Sequence, residues 1–398
     1  NKFPAVEQNP SQGRHTEAEA LYRRALTILE KALGSDVARL LMVASLNNLA
    51  VLYEEQGRYD KAEPLSRRAL AIREKALGPD DLDVAQSLDN LATLYVSQDR
   101  YSEAEPLLRR ALTIREKAYG SNHPDVSESL GRLGAVYFTQ GQYSKAESFV
   151  ERALILEEST LGRNHPDVAP YLHCLAVIRD RLGRSSEAEN LYRRALDSLE
   201  EVQEPDHLAL SSGLEDLANL YETQGRYKDA EPLMKRALAI REKALGPDHP
   251  DVAQSLGNLA QLYLDLGQYP KAESLVKRSL AIGEKALGPD HPDVALSLSN
   301  LGAAYSGQGR FPQAEPLLKR ALAIGEKVLG PDHVDVALFL SNLGAVYLQQ
   351  GRFPQAEPVL KRALAIGEKA LGPDHPEVAQ SLGNLAISYD AQGQFDDA

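Results

Sequence analysis

The sequence predicts an all-α fold, a solenoid of antiparallel helix pairs, from three observations. An Ala-Glu pair recurs every 42 residues, from Ala62-Glu63 and Ala104-Glu105 through to Ala356-Glu357. A fixed period of this size marks stacked supersecondary units rather than one globular core. Within a unit the apolar residues recur at spacings of three and four, and no stretch alternates with period two. Glycine and proline punctuate the chain between these helical stretches.

Taken in order, residues 1–11 (NKFPAVEQNPS) do not fit the repeat and read as a tag, linker or degenerate segment. Residues 12–398 read as a single solenoid. It opens with a lone helix over residues 16–33, of the type that comes second in later units. A two-residue insertion near Ser35–Val43 makes the next connector different. Eight helix pairs follow, to about residue 371. A lone first-type helix covers residues 377–391, and residues 396–398 begin a helix that is cut off.

The unit at residues 248–287 shows the logic. Val252, Leu256, Leu259, Ala260, Leu262 and Tyr263 share one helical face, and Gly267 stops that helix. Ala272, Leu275, Val276, Leu280 and Ile282 form a second helical face, ended by Gly288-Pro289. In the connector, Asp248 or His249 can cap the next helix, with Pro250 in its first turn and Asp251 at its positive end. Pro270, Pro312 and Pro354 likewise suit a helix start. Pro64, Pro106, Pro232, Pro316 and Pro358 fall a turn further in, where proline removes a helical bond, so a distorted first turn is expected there. The i,i+4 pairs such as Glu63 with Arg67 and Glu315 with Lys319 read as a solvated outer face.

Composition removes several function classes. The net charge of −13 argues against nucleic acid, which needs a basic face to displace counterions. No apolar run reaches the length of a membrane span. The single cysteine, Cys174, rules out an internal disulfide framework and suits a reducing, cytoplasmic setting. No GxSxG, HExxH, phosphate-binding glycine loop or CxxC is present, so no enzyme is predicted and no cofactor is expected.

Leu91, Ala92, Tyr95, Tyr101, Ala104 and Ala111 carry a pattern that resembles the tetratricopeptide repeat (TPR). The usual period of that repeat is about 34, shorter than the one here. The stretch from Leu245 to Ile282, with its Gly-Pro-Asp-His-Pro connector and Asn-Leu-Ala step, resembles the 42-residue repeats of kinesin light chains. Bacterial scaffold and sensor proteins resemble it as well. The resemblance covers Gln12 to Ala398 and implies a right-handed TPR superhelix that acts as an adaptor or scaffold. Two features depart from it. The chain given carries no heptad coiled coil, the element by which kinesin light chains bind their motor, and its units are unusually alike.

Candidate site residues are sought column by column. Histidines 123, 165, 207, 249, 291, 333 and 375 recur once per connector. Stacked helices lie about 8–10 Å apart and metal–His bonds are about 2 Å, so these side chains cannot share a metal; they read as helix caps. The recurring tyrosines and phenylalanines read as interhelix packing. One column remains, the residue before each Leu-Ala or Leu-Gly step: Asn48, Asn90, Arg132, Cys174, Asp216, Asn258, Asn300, Asn342 and Asn384. In the proteins this repeat resembles, first helices line a concave groove and this side chain points into it. An Asn amide both donates and accepts, so it can hold the backbone of an extended peptide. The alternative is a solvated or internally bonded Asn.

Residues 165–213 break the pattern. Arg179 stands in the tyrosine column and Ser185 in the turn aromatic, Pro170 enters a first helix, and His173-Cys174 are groove-side. This is either drift or a weakly basic spot around Arg132 and Arg181 that suits an acidic peptide segment. A Cys-His nucleophile is disfavoured, because adjacent helix residues point apart. The function expected is peptide binding in the groove, anchored by the asparagines with Arg132 and Arg181 tuning it. The alternatives are end-to-end self-assembly and a sensor or scaffold role within a larger bacterial protein.

Overall fold

A computed structural model describes residues 10–31, 36–200, 207–373 and 375–393. The chain divides into two units, Asn1–Val202 and Gln203–Ala398. Among the described residues there are 18 α-helices, two short 3₁₀ turns and no strand.

The first unit holds α1 (Pro10–Lys31), α2 (Asp36–Glu55), α3 (Tyr59–Leu77), α4 (Leu82–Val96), α5 (Tyr101–Tyr119), α6 (Ser127–Thr139), α7 (Tyr143–Leu161), α8 (Ala169–Arg181) and α9 (Ser185–Glu200). The second holds α10 (His207–Thr223), α11 (Tyr227–Leu245), α12 (Pro250–Asp265), α13 (Tyr269–Ala286), α14 (Pro292–Gly307), α15 (Phe311–Val328), α16 (Val334–Gln349), α17 (Phe353–Leu371) and α18 (Pro376–Gln392). The even-numbered helix from α2 to α16 packs most closely on its odd-numbered successor. We call these the first and second helices of a pair. Within each unit every second helix also packs on the next first helix. α1 starts at Pro10, earlier than the periodicity suggests, and so takes in Pro10 and Ser11. Residues 1–9, 32–35 and 394–398, on which parts of the terminal and insertion expectations fall, lie outside the described residues.

The core follows the apolar columns. Val252, Leu256, Leu259, Ala260, Leu262 and Tyr263 are all buried, as are Ala272, Val276 and Ile282, with Leu275 and Leu280 at the edge of the packed cluster. Turns between paired helices use a left-handed glycine such as Gly267 (φ +67°), whose missing Cβ makes that conformation free of strain. Among the described residues Asp99 alone takes this conformation without being glycine (φ +57°), and its carboxylate accepts from the Tyr101 hydroxyl at 2.6 Å.

The connectors are capped by histidine rather than by the aspartate before it. His249 Nδ1 accepts the Asp251 N–H at 3.2 Å, and His123, His165, His291 and His333 repeat this bond. Where the chain has Asp81 in this place, its carboxylate accepts from Asp83 N–H at 2.8 Å. His207 instead opens α10. Replacing His249 with alanine should cost about 1 kcal/mol through the lost cap, read as a lower urea midpoint, whereas His249→Asp should retain most of the stability.

The expected first-turn distortion is absent. Pro64 lies inside a continuous α3, whose first turn closes normally with Lys61 and Ala62 N–H both donating to the Arg58 carbonyl. α13, with Ser274 at the equivalent place, closes in the same way on Gln268. Proline at this depth leaves the carbonyl four residues back, that of Asp60, without its helical donor. Asp60 is exposed, so that carbonyl is open to solvent and its lost helical bond costs little.

Candidate binding face of the first helices

In the second unit α12, α14, α16 and α18 lie side by side, in contact with one another as well as with their second helices; successive second helices make no comparable contact. A row packed closer on one side than the other curves toward the closer side, so the first helices line the inner face of this unit. Side chains bridge the row. Asn342 donates to Ser299 Oγ at 3.0 Å and Ser306 to Gln349 Oε1 at 3.0 Å. In the first unit Ser97 donates to Glu54 at 2.6 Å, and Arg132 to Thr93 Oγ1 at 3.2 Å.

The Asn column falls on this face. Asn258, Asn300, Asn342 and Asn384 are half-buried in the second unit, as is Asn90 in the first, while Asn48 is exposed. Asn90 accepts from Gln86 at 3.1 Å and Asn342 is spent on Ser299. Among the described residues, Asn258 and Asn300 make no side-chain hydrogen bond. They stand one helix apart with both amide functions open to a ligand.

The irregular region resolves into compensation. Arg179 does what the missing tyrosine would do and more: Nε donates to Glu147 at 3.2 Å, and the other nitrogens pair with Glu151 and, at 3.1 Å, with Glu187. Arg132 is held by Glu128 at 2.7 Å. Arg181 ends α8 exposed, with no ion pair among the described residues. Of the two, Arg132 is therefore spent on a carboxylate of its own helix in the free protein. Arg132 also rims a small apolar cavity of about 160 Å³ between α4 and α6, lined by Val96, Leu108, Ala135 and Val136. Burial pushes the Cys174 thiol upward, which lowers its thiolate fraction, and the neighbouring His173 ring packs edge-on against Tyr192.

The glutamate of the Ala-Glu pair is not a solvated surface residue. Glu63 accepts from the next unit's Tyr95 hydroxyl at 3.0 Å and from the turn residue Arg100 at 2.7 Å, besides its i,i+4 partner Arg67. Arg100 also lies over the Tyr95 ring at 4.3 Å. The same lock joins Glu315 to Tyr347, Arg352 and Lys319. The Arg352 bond, then the Lys319 bond, hold the Glu315 carboxyl down at about 2. The sequence showed only the i,i+4 half of each lock. The other half comes from residues more than 30 positions away.

A second column was missed altogether. Arg115, 9% exposed, pairs with Asp89, 1% exposed, and donates to Ser129. An acid recurs around Arg241, now with two buried serines: it donates to Glu215 at 2.7 Å, Ser255 at 2.6 Å and Ser211 at 3.2 Å. At later turns of the period this position is Gly283, Gly325 and Gly367. The column runs Arg73, Arg115, Glu157, Leu199, Arg241, Gly283, Gly325 and Gly367, too mixed to mark a site in sequence, and only the packing shows that Arg115 and Arg241 face inward.

Tetratricopeptide repeat models match residues 41–117, 97–154, 125–201, 210–285, 256–327, 308–369 and 335–398, and a further one matches residues 11–36. The chain belongs to the tetratricopeptide repeat family. No curated protein matches this TPR chain by sequence. Among solved structures, BtubC (BKLC) from P. vanneervenii is 29% identical over 60% of this chain and 93% of that one, with a TM-score of 0.49. A Podospora anserina protein, described as a kinesin light chain candidate with nearly identical TPR-like repeats, is 28% identical over 52% of this chain and 97% of that one, with a TM-score of 0.47. Aspartyl phosphate phosphatase F from Bacillus subtilis is 16% identical over 94% of this chain and 98% of that one, with a TM-score of 0.59, a likeness of fold alone. Among the described residues no helix is long and apolar enough to cross a membrane, and no cluster of three metal-ligating side chains forms.

One lateral bridge of the TPR face titrates. Glu222 of α10 is half-buried beside Asp265 of α12; burial first, then hydrogen bonding to Asp265 and its charge, push the Glu222 carboxyl up to about 7. The folded chain therefore holds this proton more tightly than the unfolded chain does. Its stabilising effect is complete below the ordinary glutamate range and is lost as pH rises through 7. Since Glu222 is about half exposed, screening reduces the effect to about 1–2 kcal/mol. The urea midpoint of the second unit should fall between pH 5 and pH 8, and Glu222→Gln should flatten that fall.

Proposed function

We propose that this TPR chain is a scaffold or adaptor that holds an extended segment of a partner protein along its first helices, as a binding protein and not an enzyme. The observation that carries the reading is the pair Asn258 and Asn300, half-buried with open amides on adjacent first helices. An amide at each helix spacing, about 8–10 Å, matches about every third residue of an extended chain at about 3.3 Å per residue. Such contacts grip the main chain, and neighbouring side chains then choose the sequence. Kinesin-light-chain-like cargo binding in the cytoplasm is the specific form of this proposal, supported by the likeness of the 42-residue repeats. In the first unit, Asn48, Asn90, Arg132 and Arg181 would serve the same role; in the second, Asn342 and Asn384 extend the row.

The test is a peptide array probed with the wild-type chain and with Asn258→Ala/Asn300→Ala. A loss of about five- to a hundredfold in affinity, with an unchanged circular dichroism spectrum, is expected, since two amide contacts contribute about 0.5–1.5 kcal/mol each. Equal binding by the double variant would sink the reading.

A further inference from the structure

The exposed face of the second unit differs from one end to the other. Every Lys and Arg of this unit lies in a second helix or in the turn before one; α10, α12, α14, α16 and α18 carry none. At the α10–α12 end the face shows Asn219, Gln261 and Asp265, all exposed, with Glu222 half-buried beside Asp265. One to two periods on, the same columns turn apolar: Gln254 gives way to Leu296 and Leu338, and Asn219 and Gln261 to Ala303 and Ala345. Leu338 is 39% exposed.

Among the described residues, the charges around the carboxyl pair leave it without a cation. Arg226, at the start of α11, pairs with Asp229 at 2.9 Å and lies over the Tyr221 ring at 4.0 Å. On the same helix Glu231 takes Lys235 at 2.6 Å. From α13, Lys271 lies over the Tyr263 ring at 4.9 Å. On α12 the charge acting on Glu222 is Asp265, which also accepts from Gln261 at 2.9 Å. Two carboxyl groups held together on a cation-free face are neutralised by a shared proton, and a guanidinium or ammonium group can take that proton's place.

We propose that the face of α10, α12, α14 and α16 receives a partner segment carrying an arginine or lysine at the α10–α12 end and aliphatic side chains at the α14–α16 end. The cation sits between Glu222 and Asp265, the open amides of Asn258 and Asn300 hold the main chain on α12 and α14, and the aliphatic side chains lie on Leu296 of α14 and Leu338 of α16. This rests on the extended-segment reading and names its chemistry. It places cation recognition on the second unit, the reverse of an acidic-segment preference there. Seating the cation expels the proton, so binding couples to pH. With a carboxyl at about 7, about a tenth of the free protein is binding-competent at pH 6 and about nine tenths at pH 8.

The test uses the full chain and two labelled dodecapeptides in fluorescence anisotropy at low salt. One has two arginines at one end and two leucines at the other; its counterpart has glutamates for arginines. The arginine peptide should bind at least about tenfold tighter at pH 8, and its affinity should fall about tenfold by pH 6. Glu222→Gln should weaken it at pH 8 and remove the pH dependence. Leu338→Asp should weaken it at both pH values and keep the pH dependence. Equal binding of the two peptides, or a pH dependence that survives Glu222→Gln, overturns the proposal. Array binders that need Asn258 and Asn300 but show no arginine preference sink this inference alone. Arginine binding that needs Glu222 but survives Asn258→Ala/Asn300→Ala supports it and removes the main-chain clamp instead.

Discussion

Arg241→Met will lower the stability of the second unit by about 3–5 kcal/mol, the range for removing one partner of a buried ion pair. Glu215 is 6% exposed, and without Arg241 its carboxylate keeps only Ser255 Oγ, at 2.6 Å. A buried charge with one neutral donor is either held at high cost or protonated. The double variant Glu215→Met/Arg241→Met removes both charges together. It should return to within about 1 kcal/mol of the parent or exceed it, because two thioether side chains refill the space without desolvated charge. Urea unfolding followed by helical circular dichroism separates the cases. A loss under about 1 kcal/mol in the single variant would mean that the pair is not sealed from water as the geometry shows.

Phe339→Ala will cost the same unit about 3–5 kcal/mol, for a different reason. Phe339 is completely buried, and its ring stands 2.8 Å from where a Cβ on Gly325 would be. Glu215, Arg241 and Ser255 become Ser299, Gly325 and Phe339 two periods later. The same space is thus filled by an ion pair with a serine in one place and by an aromatic ring over a glycine in the other. Two experiments follow from this exchange. Gly325→Ala should destabilise while Phe339 is present, since the ring must shift to clear the new methyl. The triple exchange Ser299→Glu/Gly325→Arg/Phe339→Ser should recover most of the loss seen for Phe339→Ser alone. If it does not, the two fillings are not equivalent, and their neighbours decide which one fits.

The helix pairs could be read from the chain because their signals are local. Apolar spacing, a turn glycine and a connector proline each act within a few residues of where they stand, and the period repeats them. The cap was narrowed to Asp248 or His249 by the same local rule; the choice of His249 needed the Nδ1 geometry. The prolines at Pro64 and its equivalents misled because the rule counts the missing helical bond and not the exposure of the freed carbonyl. The candidate site was legible in part. Its column of asparagines follows from periodicity, but whether an amide is open or spent depends on the helix beside it, as Asn342 on Ser299 shows.

The sequence alone determined that this chain folds as helix pairs, roughly where those helices begin and end, and which apolar residues face the core. Those properties rest on contacts between residues three or four apart. Tertiary structure alone decided that the marker glutamate locks one repeat to the next, that Arg179 replaces a tyrosine by pairing with three carboxylates, and that Glu222 meets Asp265. Apart from the Arg179–Glu187 pair, each of those depends on side chains 28 to 43 residues apart being brought within hydrogen-bond distance. The physical reason is the stacking itself. A repeat places the same column one helix spacing further along, so the charge or bond a residue carries is set by the next repeat's side chain and not by its own neighbours in sequence.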